Sequence, residues 1–585
     1  MIVESIKSIN DFKKIKKEDL PVLIDEIRTL ILNKASKVGG HVGPNLGDIE
    51  LTVALHYVFN SPKDKLIFDV SHQTYCHKIL TGRSYGFIEE NNYNKVTGFS
   101  NRKESEHDLF DLGHTSTSIS LGLGLAKGRD LNNELYNVVS IIGDGSLTGG
   151  EALEALNNAY NLKSNIIIIV NDNNMSISEN HGGLYENLRL LRETKGCYKN
   201  NYFKTLELDY AYLEEGNDVY KLIDFLNKYK DIDHPIVLHI KTTKGYGYKF
   251  ASEKKENFHY SQPFDLKTGE LLNKVDENKS ISEITFKFLS NKMFKDKNVI
   301  GITAATPYLL GFNKERRERF KEQFVDVGIC EQHSIGFLSG LSKAKAKGYL
   351  GIYASFIQRA YDQVSQDFCL NDGKGTILIF GASIFSKNNM THLGIFDISL
   401  LSNIPNLLYL DPTNIDEYLD MLEFSYQNDK YPIAIRVPIN YIKRNDYSKI
   451  DYSLINKNYI YNKGEKVALI SVGNLFEFAI EVCNELKNKN YNITLVKPIF
   501  LNSIDEDTLY NLSKTHDTFI TIEDSILDGG YGQKVASYLS QFGKKVINFG
   551  LNKEFIDGSD AEYILKKAGI EKDTLIDVIK QNYKK

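Results

Sequence analysis

Residues 137–170, NVVSIIGDGSLTGGEALEALNNAYNLKSNIIIIV, limit the folds open to this chain more than any other stretch: an apolar strand, a glycine-rich turn, a helical run and a second apolar strand. Short apolar runs alternating with helical periodicity predict a parallel sheet covered by helices on both faces. The first strand ends at Gly143, Asp144 follows at once, and a helix is expected to begin near Glu151. Open α/β sheets hold their ligands at this carboxyl edge. A lone Gly-Asp-Gly turn is equally compatible with an ordinary strand-to-helix connection. The next strand ends in NDNN at 171–174, so Asp144 and Asn173 fall at the tips of neighbouring strands. Two oxygen donors there, completed by a backbone carbonyl, water and diphosphate oxygens, suit Mg²⁺.

A chain of 585 residues, 42% hydrophobic and 25% charged, is too long for one core. Three α/β domains are expected, over 1–270, 280–445 and 460–585. Residues 20–60 read as amphipathic helices about a glycine-rich turn. The polar stretches at 266–282 and 443–465 read as separators, and the last domain has strands at 467–473, 492–498 and 518–524. A net charge of −5 gives no general attraction to nucleic acid or anionic membrane. The charged N-terminus lacks the apolar core of a signal peptide, and no apolar run reaches 18 residues. Five scattered cysteines without CxxC spacing argue against a disulfide framework and fit a reducing cytoplasm.

Longer blocks carry a more specific signal. SKVGGHVGPNLGDIELTVALHYVF, DVSHQTYCHKILTGR, ESEHDLFDLGHTSTSISLGLGLAKG, GDGSLTGGEALEALNNA and NDNNMSISEN occur in this order in the first half. GYGYKFASE, DVGICEQHSIGFLSGL, YASFIQRAYDQV and ITIEDSILDGGYG follow. Through these blocks the chain resembles, along nearly its whole length, the deoxyxylulose-phosphate synthase branch of the transketolase superfamily. The resemblance implies a transketolase-type fold, a homodimer, thiamine diphosphate with Mg²⁺, and condensation of decarboxylated pyruvate with an aldehyde, in the family D-glyceraldehyde 3-phosphate.

It also implies roles. Asp144, Asn173 and the carbonyl of Met175 would hold Mg²⁺. Gly145, Ser146, Gly113, His114 and Thr115 would line the diphosphate, with His72 and Tyr248 at further cofactor positions. Glu331 would face the aminopyrimidine and favour its imino tautomer, although a glutamate that opens a helix is also favoured by the helix dipole. Phe356 would stack on the pyrimidine, and Tyr353 and Arg359 would face substrate. His41, His259 and His392 would converge on the reacting oxygen and the acceptor hydroxyls. His77 and His333 are expected to be structural or supporting. One cofactor would draw on both Asp144 and Glu331; spacing does not tell whether a single chain completes the site.

Departures from the family cluster around the acceptor. Asp-Arg-Ala-Gly becomes Phe380-Gly381-Ala382-Ser383, and Tyr-Pro-Arg-Gly becomes Val437-Pro438-Ile439-Asn440. The Gly-Ala-Asp-Gly before Thr391-His392 becomes Ser386-Lys387-Asn388-Asn389, Gly-Pro-x-Asp-Gly-His becomes Tyr212-Leu-Glu-Glu-Gly-Asn217, and the segment after SISEN is short. The two lost arginines are family contacts to the acceptor phosphate, each worth about 1.5–3 kcal/mol. Either Lys387, Lys443 or Arg444 replaces them, or the acceptor carries no phosphate. A non-catalytic cofactor-binding homologue would be expected to lack Glu331 or the metal pair; all three residues are present.

Overall fold

The computed structural model describes residues 1–273, 279–385, 389–443, 450–556 and 560–583. These form two compact units, one of Met1–Val275 with Val327–Cys330, the other of Asp276–Asp326 with Glu331–Lys585.

In the first unit β1 (Lys65–Phe68), β2 (Val138–Gly143), β3 (Ile166–Asp172), β4 (Asp209–Leu213) and β5 (Pro235–Lys241) form a sheet in the order β1-β2-β3-β5-β4. Every pairing is parallel. β3 is buried at all seven positions, as a strand covered on both faces must be. The helix after the Gly-Asp-Gly turn spans Gly150–Leu162. Of the helices expected in 20–60, Leu20–Val38 is amphipathic, but Ile49–Val58 is buried everywhere except Tyr57. It lies inside the largest apolar cluster of this unit, where no face is left for solvent. Residues 266–282, expected to be a separator, begin as a turn closed by a Phe264–Leu271 bridge, and a helix starts at Ile281.

The second unit holds two sheets. β6 (Val299–Thr303), β7 (Phe324–Asp326), β8 (Lys347–Tyr353), β9 (Thr376–Phe380), β10 (Leu408–Leu410) and β11 (Ile433–Arg436) are all parallel, in the order β10-β11-β9-β8-β6-β7. The other runs β12-β14-β13-β15-β16. Its strands β13 (Lys466–Val472), β14 (Thr494–Lys497) and β15 (His516–Ile526) are those expected from the sequence. β16 (Lys545–Leu551) adds one edge and β12 (Tyr459–Asn462), antiparallel to β14, the other. β12 lies inside the 443–465 stretch read as a separator; its Tyr-Ile-Tyr run is too short to stand out among polar neighbours. Buried ion pairs join the two sheets. Arg436 bonds Asp397 through Nε at 2.9 Å and Asp524 through Nη1 at 2.6 Å, and Lys497 reaches Glu417 at 2.9 Å.

A second buried polar network braces the first unit. His56 Nε2 meets His77 Nδ1 at 2.8 Å, His77 Nε2 meets Asp108 at 2.9 Å, and Arg83 grips both oxygens of Asp108. Lys78 and Glu104 flank the network, with His107 bonded to Ser61. Burial holds the imidazoliums of His56 and His77 below the ordinary histidine range and pushes His107 down to about 4. Asp108 is desolvated as well, yet its bonds to His77 and Arg83 win and hold it below the usual carboxylate range. The folded state therefore refuses protons that the unfolded chain takes up below about pH 6.5. Its stability is complete above that pH and falls as pH drops, with Asp108 adding to the loss below about pH 4. Urea unfolding should show stability falling between pH 7 and 5.5, with about 1 kcal/mol of the loss from His107; a flat profile would contradict the neutral network.

Candidate active site

Because β1, β2, β3 and β5 run parallel, the loops that leave their carboxyl ends share one edge of the sheet. They deliver His72, Asp144, Asn173 and Lys244 in turn. Asp144 is buried, and its Oδ2 accepts the Met175 N–H at 3.1 Å and the Asn180 side-chain amide at 2.6 Å. Burial first, and the negative charge of Asp172 second, push this carboxyl up to about 8. A carboxylate placed so is stable only beside a cation. Asn173 Oδ1, Asn180 Oδ1 and Ser176 Oγ are buried polar oxygens without a hydrogen-bond partner. These donors are all oxygen, as a hard divalent cation requires, so the residues fit Mg²⁺. Among the described residues no group of three or more His, Cys, Asp or Glu is spaced to hold a metal; a set of one carboxylate, one amide and a backbone carbonyl is of a different kind.

The turn beside Asp144 is tightly walled. A Cβ on Gly145 would lie 2.9 Å from the Ser176 side chain, and one on Gly149 would lie 2.1 Å from Ser116 Oγ, which itself donates to Ser146 O at 2.7 Å. Ser176 packs so closely on Gly145 that no side chain fits at that position. Gly113, His114 and Thr115 lead into the helix Ser118–Leu131, at whose start the Asp69 carboxylate accepts the amides of Ser116, Thr117 and Ser118.

Three predicted histidines come together. The rings of His41, His72 and His259 lie mutually 5.1–5.6 Å apart, with Tyr260 at 5.1 Å from His41. Asn45 holds two of them in place, its amide donating to the carbonyls of His41 at 2.6 Å and His72 at 2.7 Å while its oxygen accepts the Tyr75 N–H. His72 follows Val70 and Ser71, both left-handed at φ +60° and +67°, a strained turn of the kind that gathers at functional sites. Burial and the nearby Lys244 ammonium push His72 down to about 3. Lys244, itself buried, donates to Ser176 O at 2.6 Å and meets His259 Nδ1 at 3.1 Å. Burial pushes the Lys244 ammonium down to about 7; where it is charged it donates to Nδ1 and leaves the His259 proton on Nε2. Tyr248 lies apart from this trio, its ring against Phe250, Phe258 and Phe264 and its hydroxyl donating to Leu266 O.

In the second unit Glu331 opens the helix Glu331–Lys343 and is 5% exposed. Burial raises its pKa, opposed by Arg359, whose Nη1 lies 3.8 Å from Oε2. The β8 and β9 tips supply the neighbouring groups. Phe356 sits edge-on to Tyr353 at 5.4 Å and to His392 at 5.5 Å, and His392 Nδ1 meets Thr391 Oγ1 at 2.9 Å. Tyr308, not singled out from the sequence, bonds Tyr353 hydroxyl to hydroxyl at 3.3 Å. Gly381 takes φ +66°, and the Ile439 N–H donates to Asn474 at 3.2 Å. Lys443 is exposed; Lys387, Asn388 and Arg444 lie outside the described residues.

Asn45 and Asn180 fall within blocks quoted above and Lys244 at the edge of one, so their neighbourhood was visible, though no local pattern marks their task. Asn217, in place of the family histidine, accepts the Thr243 N–H and so supports the loop that carries Lys244.

Residues 3–200 match the family model described as 1-deoxy-D-xylulose-5-phosphate synthase, residues 279–442 the transketolase pyrimidine-binding domain, and residues 457–575 the transketolase C-terminal domain. The 1-deoxy-D-xylulose-5-phosphate synthase of Caldanaerobacter subterraneus subsp. tengcongensis is 37% identical over 624 residues, covering 100% of this chain and 99% of its own. That of Alkaliphilus oremlandii is 38% identical over 618 residues, covering 99% of this chain and 98% of its own.

Proposed function

This chain belongs to the 1-deoxy-D-xylulose-5-phosphate synthase family, and from that premise we propose that it decarboxylates pyruvate and joins the remaining two carbons to D-glyceraldehyde 3-phosphate, using thiamine diphosphate and Mg²⁺. The observation that carries the reading is the buried Asp144 carboxyl beside unpartnered buried oxygens at the sheet edge, a constellation that asks for a cation. Bound thiamine diphosphate supplies an electron sink for cleavage next to a ketone. Asp144, Asn173 and the Met175 carbonyl hold the metal, and Gly145, Ser146, Gly113, His114 and Thr115 take the diphosphate. Glu331 presents its buried carboxyl, whose pKa burial raises, to the aminopyrimidine, and Phe356 and Tyr353 wall the site. His41, His259 and His392 orient substrate oxygens, His72 lies against the cofactor, and Arg359 faces substrate. A homodimer and a cytoplasmic location belong to the same proposal, the first by family resemblance, the second because the five cysteines follow no pairing pattern.

A second reading concerns the acceptor. At position 381 the backbone is left-handed, a conformation that resists any side chain with a Cβ, and position 439 is isoleucine. Neither supplies charge to a phosphate, which favours an unphosphorylated aldehyde.

Protein supplied with thiamine diphosphate, Mg²⁺ and pyruvate should release CO₂ faster with glyceraldehyde 3-phosphate than with glyceraldehyde, and yield deoxyxylulose phosphate by mass. Equal use of the neutral aldehyde would transfer the assignment to the second reading. Unchanged CO₂ release by Glu331→Ala would sink both.

A further inference from the structure

The helix Gly183–Glu193 follows directly on the shortened segment after SISEN and belongs to none of the motifs. It is anchored by a buried stripe of Tyr185, Leu188 and Leu191, which packs in one cluster with Ile142 of β2 and Val170 of β3. Tyr185 and Arg192 are seven residues apart and so share one face, about 10 Å apart along the axis. Each ends on a different ligand loop. The Tyr185 hydroxyl donates to Gly145 O at 3.2 Å and meets Thr148 Oγ1 at 3.1 Å, which fixes the turn next to Asp144. The Arg192 fork reaches Asp172 Oδ2 through Nη1 at 2.5 Å and Asn174 Oδ1 through Nη2 at 2.9 Å, one acceptor on either side of Asn173. Behind Asp172, His239 Nε2 bonds the same oxygen at 2.8 Å and Tyr210 closes the chain on His239 Nδ1.

We infer that this helix is a clamp holding the two ligand loops at their working separation, and that Tyr185 and Arg192 are positioning residues for Mg²⁺ and the diphosphate. The inference rests on the proposed cofactor. Neither side chain touches the ligand; each acts through the backbone or side chain of a loop that does, as outer-shell partners of metal sites do. The pair divides the work. Arg192 secures the loop of Asn173 and Met175, and its planar fork spans two acceptors that a lysine ammonium cannot span together. Tyr185 secures the diphosphate turn through one hydroxyl.

Calorimetric titration of the full chain with Mg²⁺ at fixed thiamine diphosphate, and with thiamine diphosphate at fixed Mg²⁺, tests this. Arg192→Met should weaken Mg²⁺ binding by about 10–100-fold, Arg192→Lys should fail to restore it, and Tyr185→Phe should weaken diphosphate binding toward the lower end of that range. In each variant kcat should return toward the wild-type value once both ligands saturate, because positioning is lost and chemistry is not. Arg189→Met, on the exposed face and paired with Glu186 and Glu193, should bind as the unaltered protein does. Tyr185→Phe removes a single oxygen and keeps the test available if Arg192→Met fails to fold. Wild-type affinities in Tyr185→Phe and Arg192→Met would overturn the clamp while leaving the proposed function standing. An unaltered protein that binds no Mg²⁺ with thiamine diphosphate would take down both.

Discussion

Glu331→Gln should lower kcat by about 10²–10⁴-fold while thiamine diphosphate still binds. The carboxyl sits at the first position of its helix, 5% exposed, with one cation 3.8 Å away. Burial makes the charged form costly and Arg359 opposes it, so the carboxyl lies above the ordinary glutamate range. Glutamine keeps the volume and a hydrogen-bond donor but cannot gain or lose a proton. The fold should not suffer, because a desolvated acid is exchanged for a neutral amide. The measurement is kcat at saturating cofactor beside a thermal melt of the apo protein. Full turnover in a well-folded variant would show that Glu331 is only a helix-start residue.

Asp144→Asn separates binding from folding in the opposite direction. Asparagine matches the shape of aspartate, so the Asn180 and Met175 contacts can re-form around it with an amide flip. What disappears is the charge that a divalent cation needs. Mg²⁺-dependent binding of thiamine diphosphate should weaken by more than about 100-fold, beyond the range for outer-shell partners. The apo protein should be as stable as wild type or more so, by about 0.5–2 kcal/mol, since a buried carboxyl repelled by Asp172 is gone. Urea unfolding with and without Mg²⁺ and thiamine diphosphate reads both effects. An apo variant less stable than wild type, or one still stabilised by the cofactor, would contradict a carboxyl kept for its cation.

The placement of Asp144 and Asn173 was legible because it depends on strand ends. A parallel sheet places every strand-to-helix loop on one edge, so reading where an apolar run stops at Gly143 and at Asp172 also reads where Asp144 and Asn173 must lie. The same logic brought Glu331, Phe356 and Arg359 to the tips of β7 and β8. Tyr248 was assigned from its place in a matched block; its ring contacts with Phe250, Phe258 and Phe264 arise only from the folded chain.

By itself the sequence determined the α/β class, the strands β2, β3, β13, β14 and β15, and the position of the loops that leave β2 and β3, because periodicity and turn chemistry act over a few residues. Only the tertiary structure decided which residues support those loops. Asn45 bonding two carbonyls 31 residues apart in the chain, Lys244 tying Ser176 to His259, and Arg192 straddling Asn173 are contacts between separate elements. Arg192 sits in LRLLRE, where it reads as a solvated helix face. Its task is set by which way the helix faces once Tyr185, Leu188 and Leu191 are buried, and that rotation is fixed by packing against β2 and β3 rather than by any local pattern.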